Sequence, residues 1–190
     1  RNTHTVTVVA NQSMDQLIIE SGGILIHTSG TLTVNDDASG DDIIVQSGGV
    51  LRLSVDPSIS FSPATATANI NSGGILRVTV GGLTGAGLGV NSNNYVYQNA
   101  SVLEYTFAGA FSTTGVTYFP NANAATIPVF RITSNVGGVG GGTGTIINGL
   151  FEANGNVTFQ NTGTKTFRNG ITGTGNISSY KWDFGDNSMA

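Results

Sequence analysis

The phrase Ser-Gly-Gly-aliphatic-Leu occurs three times at nearly fixed pitch: Ser21-Gly22-Gly23-Ile24-Leu25, Ser47-Gly48-Gly49-Val50-Leu51 and Ser72-Gly73-Gly74-Ile75-Leu76. A degenerate fourth copy reads Asn99-Ala100-Ser101-Val102-Leu103. The leucines stand 26, 25 and 27 residues apart. A repeat of that length cannot bury its own apolar face, and stacking successive copies is the way it acquires a core.

Aligning the copies gives columns with a period of two, the signature of strands. Before the corner, the apolar columns are Leu17, Ile43, Ala68, Tyr95 and then Ile19, Val45, Ile70, Tyr97. After it they are Leu25, Leu51, Leu76, Leu103 and then His27, Leu53, Val78, Tyr105. The column between these last two, Ile26, Arg52, Arg77, Glu104, points outward, and so does Thr28, Ser54, Thr79, Thr106. Glycine suits the corner because a sharp turn needs positive φ or close backbone approach. The fold expected is all-β, a parallel β-solenoid (β-helix) with coils of about 25–27 residues. The fourth corner lacks Gly-Gly and is expected to be different or looser. His27 is a misfit in its column, read as a local register slip before Gly30-Thr31-Leu32-Thr33-Val34 resumes alternation.

The coils are expected over 1–178, with an irregular insertion at about 108–145. In that insertion Val129-Phe130-Arg131-Ile132-Thr133 reads as a strand, and the glycine-rich 136–144 reads as a surface loop. It has no Gly-Lys-Ser/Thr ending for a phosphate loop and no βαβ context for a dinucleotide. Ile146, Val157, Phe167 and Ile177 head strands every ten or eleven residues, with Asn-Gly corners between, so 146–178 is expected to form tighter three-sided coils. Pro57 and Pro63 deny the segment around them a central-strand role.

Composition narrows the function. The net charge is −4, and the seven Lys and Arg residues are scattered singly, so nucleic acid is not an expected partner. No apolar run is long enough to span a bilayer. With no cysteine there are no disulfides or thiolate metal sites. The four Asn-x-Ser/Thr sequons (Asn11, Asn99, Asn156, Asn176) are expected by chance in so Asn- and Thr-rich a chain and carry no weight.

The densest acidic cluster, Asp36, Asp37, Asp41 and Asp42, is a candidate calcium site, set against a solvated acidic loop, since no EF-hand or nonapeptide array is present. Stacked Arg52, Arg77 and Glu104 lack an aspartate companion and are read as structural. His4 and His27 have no Ser or Asp partner at motif spacing, so no triad is inferred. No catalytic residue and no cofactor is expected. Ile18, Ile24, Ile26, Ile44 and Val50 are outward aliphatics in register and are candidate contact residues for a partner.

Ser-Gly-Gly-Ile-Leu, Ser101-Val102-Leu103-Glu104-Tyr105, Thr113-Thr114-Gly115, Phe119-Pro120 and the phrases Thr143-Gly-Thr-Ile-Ile-Asn-Gly and Gly163-Thr-Lys-Thr-Phe-Arg-Asn-Gly-Ile-Thr-Gly-Thr-Gly-Asn-Ile resemble large secreted β-solenoid surface proteins of the Bacteroidota. The resemblance covers most of residues 17–178. It implies export by the type IX route, an extracellular cell-surface location and an adhesive or structural role, with no catalytic residues carried over. Tyr180-Lys181-Trp182-Asp183-Phe184-Gly185-Asp186 resembles the opening of a PKD (immunoglobulin-like) domain, with Asn187 where that family has glycine. Residues 179–190 are therefore expected to be the first strand of such a domain, in a piece of a longer protein, or a strand capping the last coil. The function expected is a non-catalytic structural or adhesive segment of a surface appendage, as a homo-oligomer or joined to other segments of a longer chain. Alternatives are a β-helix that binds or cleaves carbohydrate, with surface glycans as partners, and an ice-binding face on the threonine column.

Overall fold

The computed structural model describes residues 3–36, 40–55, 59–63, 65–80, 94–109, 111–112, 127–140, 145–147, 149–159 and 165–178. These residues contain strands and no helix, and every strand pairing among them is parallel. The arrangement is β-helix-like. One long sheet holds eight strands in chain order, from His4–Val8 through Gly23–His27, Val50–Leu53, Ile75–Val78, Val102–Tyr105, Val129–Ile132 and Leu150–Ala153 to Ile171–Thr172. Parallel pairing of this kind leaves no hairpins, so each step along the sheet consumes a whole repeat of sequence.

Partners along the long sheet give the pitch. His4 pairs Gly23, Ile24 pairs Val50, Val50 pairs Ile75, Ile75 pairs Val102, Val102 pairs Val129, Val129 pairs Leu150 and Phe151 pairs Ile171. The repeat thus runs at 25–27 residues through the middle and contracts to about 20 at both ends. Before Gly23–His27, Val50–Leu53, Ile75–Val78 and Val102–Tyr105 the chain passes a second sheet, Leu17–Ile19, Ile43–Val45, Ala68–Ile70 and Tyr95–Tyr97. After the long sheet comes a third, Gln12–Met14, Leu32–Asn35 and Ile59–Ser62. Further on the same positions are taken by Thr145–Ile147 with Lys165–Phe167, and by Phe111–Ser112, Val136–Gly140, Val157–Phe159 and Ile177–Ser178. The four expected strand heads at 146, 157, 167 and 177 accordingly alternate between two sheets. The segment flanked by the prolines forms Ile59–Ser62, which among the described residues is the last strand of its sheet.

The leucine column is continuous. Val6, Leu25, Leu51, Leu76, Leu103, Phe130, Phe151 and Ile171 are successive Cα partners, and Leu51, Leu76 and Phe151 are fully buried. In the shorter repeats phenylalanine takes over. The Phe151 ring centroid lies 5.6 Å from Phe130, 5.8 Å from Phe159 and 5.1 Å from Phe167, spacings at which aromatic pairs attract.

Each corner closes in the same way. The amides of Gly23, Gly49 and Gly74 donate to the carbonyls of Glu20, Gln46 and Asn71, while Gly22, Gly48 and Gly73 hold φ of +78°, +77° and +75°. This is a type II turn, which requires positive φ at its third residue. The fourth corner is not looser. Ala100 adopts φ +61° and the Ser101 amide donates to Gln98 at 3.0 Å, so an alanine is held in a conformation that normally favours glycine.

Two further expectations are corrected. His27 does not slip register: it pairs Leu53 and Val8 in the ladder and is fully buried, because its ring fills the same core position as its column mates. Within 108–145 the strand expected at Val129–Thr133 is present as Val129–Ile132, a full rung of the long sheet. Not all of 136–144 is a loop. Val136–Gly140 is a strand paired with Val157–Phe159, and a one-residue bulge between Val136 and Val139 absorbs Gly137-Gly138. Backbone pairing needs no side chain. Residues 141–144 lie outside the described residues, as does the C-terminal segment 179–190.

Candidate functional site

The outward column of the long sheet forms a charge ladder. Thr7, Ile26, Arg52, Arg77, Glu104, Arg131, Glu152 and Thr172 are successive partners. Arg77 Nε donates to Glu104, Arg131 Nη1 lies 3.7 Å from the other Glu104 oxygen, and Arg131 Nε donates to Glu152. Glu104 is nearly enclosed, its side chain 7 % exposed, between two guanidinium groups. The Arg131 guanidinium is held above its ordinary pKa, chiefly by its hydrogen bond to Glu152 and further by the charges of Glu152 and Glu104, against the cost of burial. Arg52 stands beside Arg77, and its Nε donates to Ser54 Oγ at 3.2 Å. Sequence reasoning found the Arg77–Glu104 contact but stopped there; Arg131 continues the column at the same 27-residue pitch, and Glu152 lies beyond the change of pitch after residue 129.

The acidic cluster does not form one site among the described residues. Asp42 is buried and accepts from the Thr67 amide at 2.7 Å and from its hydroxyl at 3.5 Å. Asp41 accepts from Asn69 Nδ2 at 2.9 Å, and Asp36 from Thr65 Oγ1 at 2.5 Å. Each carboxylate ties its own repeat to the next. Asp37 lies outside the described residues. No group of three or more His, Cys, Asp or Glu side chains able to hold a metal is present among the described residues.

The threonine column stays at the surface, with Thr28 and Thr133 exposed, but its hydroxyls also bond one repeat to the next. Thr28 Oγ1 donates to the Val8 carbonyl at 3.1 Å, Thr79 Oγ1 to Leu53 at 3.1 Å, and Thr106 and Thr133 to Val78 and Tyr105 at 3.5 Å. Ser54 Oγ lies 2.7 Å from Thr79 Oγ1. Asparagines play the same part near the C-terminal end. The Asn156 amide donates to Asn135 Oδ1 and the Asn176 amide to Asn156 Oδ1, both at 3.0 Å. Two of the four sequon asparagines are thereby parts of a repeat-to-repeat ladder.

The five candidate contact residues are divided between two sheets. Ile18 is the most open, at 49 % exposure, and it stacks on half-buried Ile44 in the second sheet. Ile24, Ile26 and Val50 belong to the long sheet. Val50 is buried, because Ile24 and Ile75 cover it from either side, and it leaves the candidate set. His27 is the one buried imidazole, and neither ring nitrogen makes a well-aligned hydrogen bond. Burial lowers its pKa below 6.5, with the nearby backbone of Ser29 and Gly30 opposing that shift. No helix among the described residues is long and apolar enough to cross a membrane. Comparisons of the chain with protein-family models, curated proteins and solved structures find no match.

Proposed function

We propose that the chain winds into a closed β-solenoid, with central coils of 25–27 residues, and serves as a non-catalytic structural or adhesive segment of an extracellular surface appendage. The observation that carries this reading is the use made of polar side chains. Asp36, Asp41, Asp42, Thr28, Thr79, Asn135, Asn156 and the Arg77–Glu104–Arg131–Glu152 chain all bond one repeat to the next. Groups committed in this way reinforce a rod rather than converge on a reacting atom. Low charge content and a column of leucine and phenylalanine suit a long stacked array whose ends must be covered. Assembly with further copies, or with other segments of a longer chain, follows from that need. Threonine hydroxyls directed at carbonyls are poorly placed to order water, which weighs against ice binding. A screen of the 190-residue chain against a polysaccharide panel tests the proposal: no cleavage is expected, and release of reducing ends from any polymer would overturn the non-catalytic role.

A further inference from the structure

The charged part of the outward column runs Arg52, Arg77, Glu104, Arg131, Glu152. Glu104 answers Arg77 and Arg131, and Glu152 answers Arg131, so the ladder is balanced except at Arg52. Among the described residues no carboxylate pairs with Arg52, and its neighbours along the column are Ile26 and a second arginine. Like charges on neighbouring strands destabilise a sheet, so an anion bound at Arg52 relieves a contact that the chain itself leaves unbalanced. Arg52 is also held in place. Its Nε donates to Ser54 Oγ at 3.2 Å, Ser54 Oγ lies 2.7 Å from Thr79 Oγ1, and Thr79 Oγ1 donates to the Leu53 carbonyl at 3.1 Å. Thr79 directs its single hydroxyl proton to Leu53, so Ser54 donates to Thr79 and accepts from Arg52. This one-way chain fixes the Nε edge of the guanidinium. Among the described residues nothing accepts from Nη1 or Nη2, and these form the end of the fork that matches two carboxylate oxygens.

We propose that Arg52, positioned by Ser54, is the docking point for the carboxylate of an acidic sugar set among neutral ones in a surface glycan. Arg77 beside it is already committed to Glu104, so the site holds one negative charge. An acidic peptide run or a nucleic acid would bring charges in series to a chain whose own net charge is −4, and is repelled beyond the first. The surroundings fit a sugar ring. Aliphatic Ile26 stands on the neighbouring rung, and Thr28, Ser54 and Thr79 form the hydroxyl column alongside, a mixture that meets both the C–H and the O–H surface of a uronate. The face is a flat sheet rather than a concave pocket, so a single uronate should bind with a Kd on the order of 1 mM. This deepens the adhesive reading of the segment and rests on it.

The test is an NMR titration of the full 190-residue chain with methyl β-glucuronide, followed through the Arg52 Nε–H signal. The Arg131 signal, whose guanidinium is paired with two glutamates, is the internal control. A saturable shift at Arg52 and none at Arg131 is expected. Arg52→Gln should weaken binding roughly tenfold or more, read through the Leu53 and Ser54 amides, and Arg52→Lys should recover only part of it, because lysine keeps the charge and loses the fork. Methyl β-glucoside, the same ring without the carboxylate, should give no saturable shift, and N-acetylglutamate α-amide, the same charge without the ring, a weaker one. No saturation at Arg52, an unchanged Kd in Arg52→Gln, or equal binding of the glucoside or of the glutamate amide would overturn the proposal. That failure, with an inactive polysaccharide screen, removes the glycan site alone; polysaccharide cleavage removes the non-catalytic role whatever Arg52 binds.

Discussion

Replacing Leu76 by alanine tests whether the leucine column is the spine of the molecule. Leu76 is fully buried, and its partners on either side, Leu51 and Leu103, are 0 % and 1 % exposed. With a leucine above and below, the site cannot collapse readily. The loss should sit near the middle of the range for buried Leu→Ala, about 3 kcal/mol. For a chain of this length that corresponds to a fall in Tm of about 6–12 °C. Val6→Ala is the internal control: Val6 occupies the same column but is 58 % exposed, and its truncation should change stability by less than about 0.5 kcal/mol. Thermal and urea unfolding followed by far-UV circular dichroism would read both. Equal shifts for the two variants would refute the reasoning, because they would mean that position along the column does not set burial.

Other perturbations probe separate devices. Glu104→Ala strands Arg77 and Arg131 beside Arg52 and should cost about 2 kcal/mol, with added salt recovering part of the loss in a denaturation series. Gly22→Ala meets open space and pays only for φ +78°, about 1 kcal/mol, as Ala100 does in its own corner. Gly155→Ala would set its Cβ 2.1 Å from the Ser134 carbonyl oxygen, so it should lower the unfolding midpoint further than Gly22→Ala. His27 is buried with its pKa lowered, so the unfolded chain binds the proton more tightly. The neutral ring's contribution is intact above about pH 6.5 and is lost as pH falls from there toward its folded pKa. His27→Leu should flatten the stability curve over pH 5–7, and an unchanged slope would assign that slope to other groups.

The sequence made the repeat legible because the corner turn, the most constrained local geometry in the fold, recurs with its glycines. Once Gly22, Gly48 and Gly73 are aligned, the burial of Leu25, Leu51 and Leu76 follows from alternation alone. What stayed hidden depends on neighbours in space. Ala100 gives no sign that it will adopt positive φ; the pairing on either side of the corner imposes it. Val136–Gly140 carries too few side chains for an alternation signal, yet its backbone completes a ladder. Arg131 joins the charge ladder at the 27-residue repeat and Glu152 only after the repeat shortens to about 21 residues, so no fixed period reaches both. Val50 looked outward by parity, but Ile24 and Ile75 shield it along the stacking axis, a direction that alternation along one strand does not report. The acidic cluster was dense in sequence and is divided in space, because Asp36, Asp41 and Asp42 each answer a different donor on the following repeat.

The stacking itself is open to direct measurement by distances between paired spin labels. Thr7, Ile26 and Thr172 share one outward column and are not themselves members of the ion pairs. With rungs about 4.8 Å apart, labels at Thr7 and Thr172 should be separated by about 34 Å and labels at Ile26 and Thr172 by about 29 Å. Distances that track the number of intervening strands in this way are the expected result. Separations that do not shorten by about one rung from the first pair to the second would contradict the parallel, in-register stack.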